Sequence, residues 1–294
     1  MNRIGNPYRM TLVLVSSLLW CSVSFAQSTA SPPAQTPTQQ QQPQQQKPGD
    51  SQAAPLTLQG APPPVSAEEE AAYKTYHDAA NDDPAKKEQA AEDFLQKYPQ
   101  SRYVAEVYSW QVRFFFSKGD IDKMEVAGEK ELALAPTDAQ TLAIMGSALP
   151  RALSSSMPDA QKQQRVVKGQ QYSQKALDLI PTLTKPDNMT DEQFTKAKAM
   201  TSALAYSGLG MAAFRQGKYA DAIPNLEKAI QLDPQPDPVN YYVLGICNEK
   251  TSHFDDAVTD FTKCSDIPGG IQAACKTQID EAKKLSTTQL SAPK

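Results

Sequence analysis

The chain is poor in the residue types from which most catalytic and metal sites are built. It has only two histidines, His77 and His253, and four cysteines, and these do not form a His/Cys cluster with metal-ligand spacing. It contains no HExxH motif, no glycine-rich phosphate loop and no GxSxG elbow. Adjacent carboxylates such as Asp82 and Asp83 lie at expected helix starts, where they complement the helix dipole better than they suit acid–base catalysis. We therefore expect no enzymatic activity, no cofactor and no metal ion.

A basic cluster is also missing. The net charge of the whole chain is −4, and Lys and Arg are scattered along it. Nucleic acids and anionic membrane surfaces attract proteins that gather positive charge on one face. This composition therefore argues against both kinds of partner.

Long hydrophobic runs are confined to the N-terminus, where residues 10–20 read MTLVLVSSLLW. Arg3 and Arg9 precede this run, and Ser24-Phe25-Ala26 follows it as a small-x-small cleavage site. The pattern predicts a signal peptide over residues 1–26, and the apolar run is too short for a good transmembrane helix. We expect export to the periplasm or cell envelope, with no integral membrane segment after cleavage. Retention of the signal as an anchor is the alternative.

Residues 27–65 are rich in Gln, Pro, Ala and Ser and contain almost no large apolar side chains. Such a segment buries too little apolar surface to offset the entropy that ordering removes. It is predicted to be a disordered linker. Its composition fits either a spacer between export signal and folded domain or an unconstrained tail.

Near the C-terminus, two segments repeat. Residues 206–234 and 241–268 align with an offset of 35 residues, and each carries two stretches of helical apolar periodicity. Small residues recur in the middle of the expected helices, where they would let a partner helix approach closely. The matching pairs are Tyr206 and Tyr241, Leu209 and Leu244, Gly210 and Gly245, Tyr219 and Phe254, Ala222 and Ala257, and Leu226 and Phe261.

This pattern resembles the tetratricopeptide repeat, a helix–turn–helix unit of about 34 residues. Weaker copies extend the resemblance over residues 66–268, as four to five units, and the copy at 139–181 carries about ten extra residues. The resemblance implies an all-α fold, a right-handed α-solenoid of such repeats. Residues 269–286 are expected to form a polar C-terminal capping helix, and 287–294 a flexible tail.

Three local features add to this prediction. Gly217 lies at the turn between two helices, where a left-handed backbone is expected. Thr190 and Gln193 form a capping box that predicts an extra turn or helix before the fourth unit. Cys264 and Cys275 could meet as a disulfide across the turn before the capping helix; alternatively, all three cysteines after the leader are small buried residues.

In the tetratricopeptide family, the first helices of successive units line a concave groove that holds a peptide or a partner helix. Carried over by position, the groove would present Ser109, Arg113 and Phe116 from the second unit, Ser207, Met211, Phe214 and Arg215 from the fourth, and Tyr242, Ile246, Glu249 and Lys250 from the fifth.

Apolar anchors with a cationic rim suit an extended peptide that carries an apolar side chain and an acidic group. We therefore expect a non-catalytic protein-interaction scaffold. The alternatives are an accessory subunit of a secreted or membrane enzyme, and direct binding of a small molecule or glycan. The sequence leaves the partner's identity and self-association open.

Overall fold

The structure, a computed structural model, describes residues 65–79 and 83–290; the predicted signal peptide and all but the last residue of the predicted linker lie outside these ranges. Within them the chain is entirely helical, with eleven α-helices and one 3-10 turn at Ile180–Thr182. The helices are α1 (Ala67–Asp78), α2 (Pro84–Lys97), α3 (Val104–Lys118), α4 (Ile121–Leu134), α5 (Ala139–Ala148), α6 (Asp159–Leu179), α7 (Asp191–Arg215), α8 (Tyr219–Leu232), α9 (Pro238–Lys250), α10 (Phe254–Asp266) and α11 (Gln272–Leu290).

The helices form five consecutive hairpins, α1–α2, α3–α4, α5–α6, α7–α8 and α9–α10, and the last helix, α11, covers α10. Each hairpin packs on the next, and the first helices α3, α5, α7 and α9 also contact one another in order. This is the predicted all-α solenoid with its capping helix, which continues past residue 286 to Leu290. None of the helices in the described ranges is both long and apolar enough to cross a membrane.

Side-chain caps fix where many of the helices begin. Aspartates cap α2, α4, α5 and α9, as expected for residues whose carboxylate accepts from the first free backbone N–H groups. At α7 the capping box is complete. The backbone N–H of Gln193 donates to Thr190 Oγ1 at 3.2 Å, and the backbone N–H of Thr190 donates to Gln193 Oε1 at 2.9 Å. The extra length before the fourth unit is therefore additional turns of one continuous helix, Asp191–Arg215.

The turns within the hairpins need a left-handed residue. Gly119, after α3, has φ of 71°, and Gly217, after α7, has φ of 73°, as predicted for Gly217. Ser252 occupies the corresponding place after α9 with φ of 65°. The turn geometry is thus kept in the fifth unit although the glycine is not.

The two helices of a unit approach closely where a glycine faces a large side chain. A β-carbon at Gly210 would lie 2.6 Å from Leu226 Cγ on the facing helix α8. Leu226 and Ala222 are fully buried at this crossing. The mid-helix glycine, normally costly, is therefore required here by the separation of the helices.

The third unit departs from the repeat at its turn. Residues 149–158 connect α5 to α6, whereas residues 119–120, 216–218 and 251–253 connect the corresponding helices of the second, fourth and fifth units. The predicted extra residues therefore form a longer connection followed by a longer second helix. We call residues 149–158 the insertion loop.

The last two helices are joined by a disulfide. Cys264 on α10 and Cys275 on α11 form the bond, with their Cα atoms 5.9 Å apart. Cys247 is free and buried. Of the two interpretations of the cysteines, the disulfide therefore describes Cys264 and Cys275, and simple burial describes Cys247.

Candidate functional site

The predicted groove residues lie on α3, α7 and α9, the first helices that contact one another through α5. The structure places them at three depths. Ser109, Ser207 and Met211 are buried, Arg215 and Lys250 are exposed, and the half-buried ones are Arg113, Phe116, Phe214, Tyr242, Ile246 and Glu249.

On α3, the groove positions combine a cation with aromatic rings. Arg113 donates to Ser109 Oγ at 2.8 Å, which holds its guanidinium along the helix. Phe116 packs at the edge of the core between the second and third units. Beside them, the rings of Trp110 and Phe114 stack with their centroids 4.9 Å apart. This section therefore offers half-buried aromatic surface next to a fixed positive charge.

On α7, the positions separate into core and surface. Met211 is only 2 % exposed and packs with Leu226 in the core between the fourth and fifth units. Phe214 lies at the edge of that core, and the Arg215 guanidinium lies over its ring at 5.7 Å. Phe214 and Arg215 are thus accessible to a ligand on this helix, whereas Met211 supports them from beneath.

On α9, two of the four positions also serve the packing of the last unit. The ring centroids of Tyr242 and Phe261 are 5.8 Å apart, and Ile246 packs against the cluster that Phe261 forms with the capping helix. Glu249 and Lys250 form a weak ion pair at 4.0 Å at the end of the helix. This section offers less free apolar surface than α3.

The insertion loop reaches into the predicted groove. The Arg151 side chain forms an ion pair with Asp237, at the start of α9, and its Nη2 donates to Asn240 Oδ1 at 2.6 Å. The same nitrogen donates to Ser207 Oγ on α7 at 2.5 Å, and Ser207 in turn donates to Asn240 Oδ1 at 2.7 Å. One arginine of the third unit therefore connects the fourth and fifth units.

The backbone of the loop is held as well. Arg215 donates from Nε to the Pro150 carbonyl at 3.0 Å, and Arg165 on α6 donates from Nη1 to the Ala152 carbonyl at 3.0 Å. Pro150 also lies against Gly169, where a β-carbon would approach the proline ring to 2.5 Å. The loop is consequently fixed on both sides of Arg151.

The electrostatics of this cluster follow from two arginines and one carboxylate. Partial burial by itself raises the pKa of Asp237, but the positive charge of Arg151 and the Val239 backbone N–H outweigh it, so the pKa lies below its usual range. Although the Arg215 side chain as a whole is exposed, partial burial of its guanidinium lowers its pKa, and the charge of Arg151 adds to this effect. Asp237 is therefore an anion matched to Arg151, while the two arginines repel each other.

The insertion loop occupies part of the predicted groove. Two of its positions, Ser207 and Arg215, are engaged by the insertion loop, and Ser207 is only 2 % exposed. The section on α3 lies on the other side of α5. Arg151 and Asn240 could not be predicted as members of the site, because nothing in the repeat pattern indicates where an insertion packs.

Elsewhere on the surface, two open depressions flank α4. They share Val126, Lys130 and Asp122, and none of the predicted groove residues lines either of them. Within residues 65–79 and 83–290, no group of three or more His, Cys, Asp or Glu side chains is positioned to hold a metal ion.

Part of the chain matches a known repeat family, and the fold is similar to a solved structure. Residues 203–236, which contain α8 and the C-terminal half of α7, match the family "Tetratricopeptide repeat". No curated protein matches the sequence. Among solved structures, the chain is similar to the crystal structure of PilW, described as a widely conserved type IV pilus biogenesis factor, with 14% sequence identity, a TM-score of 0.49 and coverage of 76% of this chain and 91% of that chain. The protein thus carries a tetratricopeptide repeat within an all-helical solenoid.

Proposed function

We propose that the protein is a non-catalytic interaction scaffold that binds an extended peptide or a partner helix along the first helices of its repeats. Phe214 and Arg215 carry the proposal. They lie on the first helix of the matched repeat, half-buried and exposed respectively, where the family presents its ligand-binding side chains. An apolar ring below a cation offers an anchor for an apolar side chain and a partner for a carboxylate.

The section on α3 extends this surface. Arg113 and Phe116 repeat the combination of a cation and an aromatic ring, and the Trp110–Phe114 stack widens the apolar area. A ligand that spans both sections would be extended, because α5 separates α3 from α7. An acidic peptide with apolar side chains matches both sections in charge and in apolar character.

We further propose that the protein acts in the periplasm or cell envelope. The leader-like sequence at residues 1–26 supports this, and so does the bond between Cys264 and Cys275, since disulfides persist in oxidising compartments. Mass spectrometry of the N-terminal peptide of the purified native protein tests export, because it also detects the pyroglutamate that Gln27 forms at a new N-terminus. A mature N-terminus at residue 27 is expected, whereas an intact residue 1 would contradict signal cleavage.

Site-specific photo-crosslinking in the native cell tests the interaction. A photoreactive phenylalanine at Phe214 probes the groove, and the same probe at Gln231, which is exposed on α8 of the same unit, is the matched control. We expect a discrete protein adduct from position 214 and none from 231. Equal adducts from both positions, or none from either, would argue against groove binding.

The identity of the adduct separates the proposal from its alternatives. An adduct with an enzyme whose activity rises when the purified scaffold is added would identify an accessory subunit. Thermal stabilisation by a glycan or metabolite, without any protein adduct, would instead indicate direct small-molecule binding.

A further inference from the structure

Three side-chain oxygens of two repeats converge on one guanidinium group. Ser207 Oγ on α7, Asn240 Oδ1 on α9 and a carboxylate oxygen of Asp237 all accept from Arg151. Ser207 and Asn240 are 2 % and 4 % exposed, so these acceptors are built into the interface between the fourth and fifth units. A carboxylate and two neutral acceptors in one place match the several N–H donors of an arginine.

The group that fills this place belongs to the insertion loop rather than to the repeats themselves. Arg151 is separated from Asp237 by 86 positions in the sequence and reaches it past the fourth unit. The second, fourth and fifth units connect their two helices through much shorter turns. The acceptors thus belong to the solenoid, and their arginine is supplied by an added segment.

Arg151 does not use its full bonding capacity there. Its Nε is buried and has no hydrogen-bond partner among the described residues. A buried donor without a partner costs free energy that a better-placed ligand would not lose. The nearby Arg215 has the same charge and further disfavours the arrangement in which Arg151 binds these three acceptors.

We propose that Ser207, Asp237 and Asn240 form an arginine-binding subsite of the groove, occupied in cis by Arg151 and able to take an arginine side chain of a bound peptide in trans. The inference rests on the proposed peptide-binding function and names one side chain that the peptide carries. A peptide with an arginine for this subsite and an acidic group for Arg215 would engage two positions of α7 that lie eight residues apart.

A pair of capped tripeptides tests the subsite. Acetyl-Gly-Arg-Gly-amide is titrated into the full mature chain carrying Arg151→Ala, and thermal unfolding is followed; acetyl-Gly-Lys-Gly-amide is the matched control. We expect saturable stabilisation by the arginine peptide. Its half-saturating concentration should be at least about tenfold lower than that of the lysine peptide, because an ammonium group cannot reach all three acceptors. The unsubstituted chain should require more of the arginine peptide, since Arg151 competes.

Asp237→Asn, added to Arg151→Ala, is the control for the site. Asparagine preserves the cap of α9 but removes the charge, so the preference for arginine should fall to less than about threefold. Equal stabilisation by both tripeptides, or an arginine preference that survives Asp237→Asn, would overturn the proposal.

Circular dichroism shows whether Arg151→Ala keeps its helices. Where it does not, Arg151→Lys replaces it in the same titration, because lysine keeps the charge and leaves acceptors free. An arginine preference together with a failed Phe214 crosslink would retain the subsite and reject the scaffold function. A groove adduct without an arginine preference would do the reverse.

Discussion

Gly245 on α9 lies directly against the ring of Phe261 on α10. A β-carbon at residue 245 would approach Phe261 Cε1 to 2.7 Å, and the ring is fully buried. The pair repeats the contact of Gly210 with Leu226 one unit earlier. The spacing between the two helices of a unit is therefore set by the same pairing of a glycine and a large side chain.

Gly245→Ala is expected to destabilise the protein by about 1–2 kcal/mol. Overpacking in a rigid core costs about 1–3 kcal/mol, and the better helix propensity of alanine recovers part of it. Urea unfolding measures the change. Gly269→Ala is the control, because a β-carbon at residue 269 would meet nothing within 4 Å. If the two variants unfold at the same urea concentration, the close approach of α9 and α10 is wrong.

Opposite substitutions at Ser252 and Gly217 test the left-handed turns. Ser252→Gly is expected to stabilise the protein by up to about 1 kcal/mol, since a side chain disfavours φ of 65°. Gly217→Ser should destabilise it by a similar amount for the same reason. Thermal unfolding of both variants measures the changes, and shifts of the same sign would contradict the turn assignment.

Glu131 on α4 is expected to make stability fall as the pH rises. It is 1 % exposed, and burial, followed by the negative charge of Asp138, raises its pKa to about 8. In the unfolded chain the carboxyl ionises near its ordinary pKa, so the folded state binds one more proton between about pH 4.5 and pH 8. The contribution to stability is full below that window and is lost as the pH rises through it, by up to about 1.4 kcal/mol per pH unit.

Glu131→Gln removes this proton uptake. The variant should gain stability relative to the parent steadily from pH 5 to pH 8, and the difference should then stay constant. Urea unfolding at each pH gives the difference curve. Glu92→Gln, at an exposed position, serves as the control for the chemical change itself. A difference curve that is flat over this range would mean that Glu131 is ionised in the folded protein.

The Cys264–Cys275 bond is expected to hold the capping helix on α10. It closes a loop with a sequence separation of 11, and replacing both cysteines by serine should cost about 2–3 kcal/mol. Reductant should lower the unfolding midpoint of the parent to a similar degree and leave the double variant unchanged. Three cysteines open to alkylation without reductant after purification from the native compartment would show that the bond does not form.

Arg165 is expected to anchor the insertion loop. Its side chain is buried, forms ion pairs with Asp122 and Glu125 on α4, and donates to the Ala152 carbonyl. Arg165→Met should cost about 1–3 kcal/mol, because it removes charged hydrogen bonds to Asp122 and Glu125 and leaves the Ala152 carbonyl without its donor.

Hydrogen exchange of residues 149–158 reports the local effect of this change, which should be faster exchange in the loop. Lys162→Met, which breaks an ion pair with the almost fully exposed Asp159, is the matched control and should cost less than about 0.5 kcal/mol. Unchanged exchange in the Arg165 variant would show that the loop is held by other contacts.

The repeated architecture could be predicted from the sequence because it rests on local rules. Gly210 and Gly245 recur at the repeat spacing, as do Ala222 and Ala257, and each lies where two helices must approach closely. The capping box at Thr190 uses residues three apart, so the start of α7 was also predictable. Periodicity and caps carry this information without any knowledge of distant contacts.

The candidate site was predictable only in part. Repeat spacing assigned Met211 and Phe214 to the same face of a helix, but it does not give depth, and Met211 lies in the core while Phe214 lies at its edge. The contact of Arg151 with Asp237 joins positions 86 apart, from a segment without periodicity, to a residue whose local role as a helix cap already explained its presence. Long-range pairing of this kind becomes apparent only in the folded structure.

The bridge from Arg151 to α9 also affects how the array comes apart. Repeat proteins in which each unit touches only its neighbours fray from the ends, with a stability that is a sum over adjacent pairs. Here Arg151 of the third unit contacts Asp237 and Asn240 of the fifth. The last two units therefore cannot unfold separately without first breaking a contact with the third. The C-terminal three hairpins should consequently unfold as one cooperative block while Arg151 makes these contacts. They should lose that cooperativity when it does not.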